Sequence, residues 1–366
     1  MKKKLRAAFA ASGSGTCFQS VLDNIDKGIL DVEPVLFITD KPDCRAVERA
    51  REREIPVLDV AVPKLRRYLP KEEYNRDERA LAARVIHEHR LLHGTEDQPG
   101  LLEINPAALV TLGFMRVLTD YLLSQISRQG TRTFNTHPAP VPEYRGIHGY
   151  AWGAGDDKES IRKNRWHCMT FHEIINAEFD TGPIISQSPL EVLADDTTDT
   201  LKERGLQQEY EQIRECLQWL AEGRLVTTPE GFEVLDESGS SYRDRIGLKS
   251  LLHEGPMPGR YEIRIKTKRS NGRAPSEGNL DIHVDCTHPE KESYHRQITH
   301  FHELPFNIAF TDAYRQVKGL RAQGCEVELY FDNMYIHPVS MKSDLEADVI
   351  KRREEKQPEK RDEVRQ

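Results

Sequence analysis

Asn135 and His137 stand two residues apart in Thr133-Phe134-Asn135-Thr136-His137-Pro138, at the end of an apolar run that Pro138 closes. In an extended segment residues i and i+2 point to the same side, so the amide and the imidazole could converge on one small group. An asparagine N–H can stabilise an oxyanion, and a histidine supplies a proton donor near neutral pH. The plainer alternative is a buried, satisfied histidine beside a capping asparagine. A third polar residue, Asp180 in Phe179-Asp180-Thr181-Gly182-Pro183, precedes a glycine turn and an apolar strand. It reads either as a carboxylate that orients and charges His137 or as a turn aspartate capping backbone amides. The Asp-Thr-Gly triplet does not make an aspartic-protease site. Such sites need two carboxylates sharing a proton, and the chain has no second Asp-Thr-Gly or Asp-Ser-Gly.

A glycine-rich loop, Ser12-Gly13-Ser14-Gly15-Thr16-Cys17, follows a short apolar strand and opens a helix. Such a loop offers backbone N–H groups and a helix N-terminus to an anion. It lacks the third glycine of the dinucleotide fingerprint, where Phe18 stands, and it has no Walker lysine. A tight strand-to-helix turn needing small residues would look the same. His300 and His302 alternate on one face of a strand, but no third ligand follows at useful spacing, so no metal site is expected.

The elements that must position these groups alternate. Apolar strands at Leu5–Ala11, 33–40, 55–60, 105–115 and 131–138 are separated by helical patterns, the longest of them over 71–91. Strands alternating with helices imply βαβ units and a mostly parallel, Rossmann-like sheet with helices on both faces. Ligands on such sheets bind beyond the carboxyl ends of the strands. The glycine loop, Gly113-Phe114-Met115-Arg116 and Asn135–Pro138 all fall at such ends. A helix is expected over Thr198–Ala221, then a Gly/Ser-rich boundary. Residues 226–342 read as a small α+β appendage, and residues 343–366 as a charged tail, disordered or a frayed helix.

The 366 residues suffice for one large domain or two ordinary ones. A net charge of −8 argues against general nucleic-acid binding, which needs a basic field. Six cysteines in no zinc spacing are expected to be reduced thiols. No segment approaches a membrane span, and the basic N-terminus runs straight into the glycine turn. A cytoplasmic protein with small-molecule substrates is expected; a homodimer is left open.

Taken in order, the glycine loop, Leu112-Gly113-Phe114-Met115-Arg116, Asn135-Thr136-His137-Pro138 and Asp180-Thr181-Gly182-Pro183 resemble the folate-dependent formyltransferase family from Leu5 to Leu225. The resemblance implies 10-formyltetrahydrofolate as co-substrate, a primary amine as acceptor and no metal. It implies a catalytic set of Asn135, His137 and Asp180, with His137 protonated and oriented by Asp180. It further implies that Ser12, Gly13, Ser14, Gly15, Thr16 and Lys71 bind a substrate phosphate, that Met115, Arg116, Val117 and His148 line the folate pocket, and that Glu209 contacts the acceptor. The loop and Glu209 favour glycinamide ribonucleotide, an intermediate of purine synthesis, as that acceptor. Other members formylate amino sugar nucleotides or methionyl-tRNA, or hydrolyse formyltetrahydrofolate. The hydrolases usually carry a regulatory domain ahead of the point matching Leu5. A non-catalytic nucleotide-binding regulator is the reading from another class. The chain departs from the family pattern at Cys17, where an asparagine is usual, at Leu206, where a glutamine is expected, and in extra residues between His148 and His172. Residues 226–366 have no counterpart in the compact members.

Overall fold

The central strands are apolar without alternation because both of their faces are covered. β1 (Leu5–Ala10), β2 (Val32–Thr39) and β4 (Ala108–Thr111) each end in four buried residues. Ala7, Phe9 and Val110 face one core with Phe18, Val21 and Val47 of α1 (Thr16–Asp26) and α2 (Arg45–Arg51). Ala8, Ala10 and Leu109 face the opposite core, with Leu91, Leu92, Leu101 and Leu122 of α3 (Arg76–His93), α4 (Leu101–Ile104) and α5 (Asp120–Arg128). A computed structural model describes residues 4–61, 75–145, 149–154, 166–228, 231–246, 259–268, 279–287, 293–300, 306–332 and 334–336. The tail and Lys71, His148 and His302 lie outside the described residues. No helix among those described is long and apolar enough to cross a membrane.

With β3 (Val57–Asp59), β5 (Arg132–His137), β6 (Trp166–Glu173) and β7 (Ile184–Glu191), these strands form a seven-stranded sheet in the order β3-β2-β1-β4-β5-β6-β7. The first five are parallel, as the alternating pattern predicts; β6 and β7 run antiparallel. Strand order reverses between β1 and β4, the switch point at which a crevice opens. α6 (Gly149–Ala154) and the long α7 (Thr198–Ala221) complete one layer.

The segment read as a Gly/Ser-rich boundary folds instead into a hairpin, β8 (Leu225–Thr228) and β9 (Gly231–Val234), followed by α8 (Tyr242–Ile246). Alternation decides it: Phe232 and Val234 are buried while their neighbours are half-exposed. A second sheet follows, ordered β12-β11-β10-β13-β14, from β10 (Arg260–Lys268), β11 (Asn279–Thr287), β12 (Tyr294–His300), β13 (Glu326–Phe331) and β14 (Met334–Ile336). Only β10 and β13 are parallel neighbours in it, and α9 (Phe306–Ala322) lies between β12 and β13 in the chain.

α9 packs on β10 and β13 on one side and on β7 on the other. Its buried residues therefore run nearly all round, from Phe306 and Ile308 through Phe310, Ala313 and Tyr314 to Val317. Trp166 of β6 meets the rings of Phe310 and Tyr314 edge-on, at 6.2 and 5.6 Å. Both sheets thus contribute to one continuous core. Replacing Trp166 by Ala is expected to cost roughly 3–5 kcal/mol through lost burial and the cavity left behind. Urea unfolding of the full chain measures this.

Candidate active site

β5 carries Asn135 and His137 to its carboxyl end, and both side chains reach one cavity of about 660 Å³. Gly13–Cys17 after β1, Gly113–Leu118 after β4, Asp180 and Glu209 line the same space. The neighbouring strand fixes the amide. The Thr111 hydroxyl donates to Asn135 Oδ1 at 2.7 Å, which turns Nδ2 toward Asp180 Oδ1 (3.3 Å) and His172 Nε2 (3.1 Å). His172 is there because β6 runs antiparallel to β5 and sets it directly opposite Asn135. Its Nδ1 lies 3.2 Å from the Glu173 carbonyl, which can only accept. Nε2 lies between the Asn135 amide and Asp180 Oδ1, at 3.1 and 3.3 Å.

Asp180 sits at φ 50°, in the left-handed region that few non-glycine residues occupy but aspartate tolerates. The following Gly182 allows the turn to press on β6: a Cβ there would lie 1.6 Å from the Glu173 carbonyl oxygen. So held, Asp180 points one oxygen at His172 (3.3 Å) and the other at Nδ1 of His137 (3.6 Å). Nε2 of His137 donates to the Tyr144 carbonyl at 3.2 Å, and the Tyr144 ring stacks on the imidazole at 6.3 Å. Because that carbonyl only accepts, Nε2 keeps its proton in either charge state. Nδ1, beside Asp180, is the nitrogen that titrates.

The expected charging of His137 by Asp180 is present but does not win. Burial pushes the His137 pKa down and His172 adds to the depression; Asp180 and the Tyr144 carbonyl only partly offset this. Burial thus works against the protonated form that the resemblance implied.

The glycine loop meets the requirement of a close approach. Gly15 has φ 67°, and a Cβ on it would lie 2.6 Å from that of Ala46 in α2. Gly13, Ser14, Gly15, Thr16 and Cys17 line the cavity at the start of α1. Ser12 does not: its buried hydroxyl donates to Asp40 Oδ1 at 2.5 Å and accepts from Met115 N at 2.8 Å. Arg116 is bound to the other Asp40 oxygen at 2.8 Å. Ser12 and Arg116 thus tie two loops together through a buried carboxylate. Met115 and Val117 stand exposed on the cavity wall.

Glu209 on α7 is buried, accepting from Thr136 Oγ1 at 2.8 Å and more loosely from Tyr150 Oη at 3.4 Å. Burial pushes its pKa up, and its proximity, after burial itself, raises the Cys17 thiol. Thr111, Tyr144, His172 and Lys202 were not predicted. Lys202 lines the cavity seven residues before Glu209, two helical turns along one face, so spacing could have found it. His172 could be found only through the register of a reversed strand.

An α/β sheet with polar groups gathered at its switch point has definite relatives. Residues 5–217 match the family model described as formyl transferase, and the chain belongs to that family. It is a folate-dependent formyltransferase, and formyltetrahydrofolate is the co-substrate of the family. Phosphoribosylglycinamide formyltransferase of Mycobacterium tuberculosis (strain CDC 1551 / Oshkosh) is 32% identical over 199 residues, covering 54% of this chain and 77% of its own. The chloroplastic enzyme of that name from Arabidopsis thaliana is 29% identical over 235 residues, covering 64% of this chain and 70% of its own. The crystal structure of glycinamide ribonucleotide transformylase 1 from Symbiobacterium toebii is similar over 64% of this chain and 96% of its own, at 25% identity and a TM-score of 0.49.

The geometry sets an expected titration. Histidine-labelled protein followed by NMR should show His137 with a midpoint below about 6.5, the ordinary value. Asp180→Asn should move it lower still, because Asp180 is the largest influence holding it up. An unchanged midpoint in that variant would remove Asp180 from the assignment.

Proposed function

We propose that the enzyme transfers a formyl group from 10-formyltetrahydrofolate to the primary amine of glycinamide ribonucleotide, a step of purine synthesis. One observation carries the reading. A single cavity is lined by the glycine loop at Gly13–Cys17, by Glu209 and by Asn135, His137 and Asp180. An acceptor that carries a phosphate, hydroxyls and an amine suits that lining. The similarity to phosphoribosylglycinamide formyltransferases supports the same acceptor.

The amine attacks the formyl carbon, a C–N bond forms, and the carbonyl electron pair moves to oxygen. Asn135 Nδ2 donates to that oxygen in place of Asp180 Oδ1, the longer of its two bonds. Neutral His137 takes the proton that the amine sheds at Nδ1. The resulting imidazolium is stabilised by Asp180 Oδ2 and the Tyr144 carbonyl. When the oxyanion collapses, the bond to N10 of the folate breaks, and His137 returns the proton to that nitrogen. The products are the formamide and tetrahydrofolate. Met115, Val117 and the 113–118 loop would flank the folate, while Gly13–Thr16 and Lys202 would hold the phosphate. His148 and Lys71 remain candidates for the same two sites.

The test is a formyl-transfer assay with glycinamide ribonucleotide, amino sugar nucleotides and no amine at all. Transfer to the ribonucleotide at the highest kcat/KM is expected. A sugar nucleotide preferred over it would reassign the acceptor, and amine-independent release of formate would make the protein a hydrolase. Asn135→Ala should lower kcat about 10²–10³-fold, the usual loss for one oxyanion donor. Asp180→Asn should do at least as much with ligand binding nearly unchanged; full activity there would refute the catalytic assignment.

A further inference from the structure

The loop that follows β5 is fastened to the appendage. The carboxyl group of Glu143 is 4% exposed, and among the described residues its partners are both on α9. Tyr314 Oη donates to Oε1 at 2.8 Å, and Lys318 Nζ lies 2.5 Å from the same oxygen. A buried carboxylate cannot leave such partners without a large desolvation cost. The next residue, Tyr144, supplies the carbonyl that accepts from His137 Nε2 and the ring stacked on that imidazole. The start of the loop is held from the same side. Gln187 Nε2 donates to the Val141 carbonyl at 3.1 Å, while the Gln187 backbone N–H donates to Thr311 Oγ1 of α9 at 2.8 Å. Thr170 Oγ1 donates to the Ala139 carbonyl at 2.8 Å.

We infer that helix α9 of the appendage is a positioning device for the active site: through Tyr314, Lys318 and Glu143 it seats the Tyr144 carbonyl that selects the working nitrogen of His137. Tyr314, Lys318 and Glu143 are positioning residues; none touches the cavity. Only a fixed acceptor at Nε2 keeps the neutral ring with its free lone pair at Nδ1, facing Asp180. A loop free to move by a fraction of a hydrogen bond would admit the other tautomer, in which Nδ1 carries the proton and cannot receive the amine's. This rests on the catalytic reading of His137 given above, so the test includes a readout that needs no turnover.

Full-length protein labelled with ¹⁵N-histidine reports the tautomer through two-bond nitrogen–proton couplings. The parent should show the Nε2–H form for His137. Tyr314→Phe combined with Lys318→Met should give a tautomer mixture and lower kcat about 10- to 100-fold, the scale of a small misplacement. KM for both substrates should stay within about two-fold, since no binding contact is lost. Tyr314→Phe with Lys318→Arg, which restores the charge, should recover part of the loss. Asp312→Asn, elsewhere on α9, breaks an ion pair to Arg243 of α8 (3.3 Å). It should lower the melting temperature while leaving tautomer and kcat unchanged. A folded double variant with the parental tautomer and kcat would overturn the inference. If the double variant fails to fold, Tyr314→Phe alone removes one hydroxyl and is judged by the same two readouts. If the parent shows no transfer activity, the tautomer decides alone: a shift supports the brace, and no shift refutes it.

Discussion

The site depends on one buried carboxylate facing two imidazoles and an amide. Asp180 lies in a region dry enough to press the His137 pKa down, and its two oxygens face different neighbours. Around it every polar atom has a determined direction. Thr111 orients the Asn135 amide, the Glu173 carbonyl and Asp180 hold the two ends of the His172 ring, and the Tyr144 carbonyl sets the tautomer of His137. In a medium of low effective dielectric such fixed directions matter more than in water, because misaligned dipoles are not compensated by solvent. The groups come from three strands and two loops, so the constellation holds only while the β4-β5-β6 register holds.

That dependence explains what could be read in the chain. Asn135 and His137 are legible because a strand shows residues i and i+2 on one face, and the parallel βαβ part is legible because its strands are short apolar runs between helical patterns. Asp180 is legible only through the order of motifs, since nothing local distinguishes it from a turn aspartate. His172 is not legible, because its place follows from an antiparallel pairing that alternation of strands and helices does not suggest. The burial that lowers the His137 pKa was not legible for the same reason. Charge pairing can be guessed from residue types, whereas burial is a property of the assembled fold. Ser12 shows the converse. Its place in the glycine loop is as expected, but Asp40, twenty-eight positions on, draws its hydroxyl away from the cavity.

The second sheet and its helix fall within the stretch read as a small α+β appendage. What escaped was that α9 is covered on both sides. A helix predicted for a small appendage should show one polar face; Thr311, Asp312 and Tyr314 are polar residues that are buried nonetheless, each engaged with the first sheet or with α8. The contacts of Thr311 and Tyr314 give the packing a single register, which apolar contacts alone would leave loose.

A helix shared between two sheets also couples their unfolding. Separating the second sheet from α9 strips one face of the helix, and separating α9 from β7 and Trp166 exposes the other. Neither unit can open by itself without hydrating aromatic surface that belongs to both. Amides in β7 and in β13 should accordingly exchange with solvent through the same rare opening, and the polypeptide should denature as one cooperative body despite its two sheets.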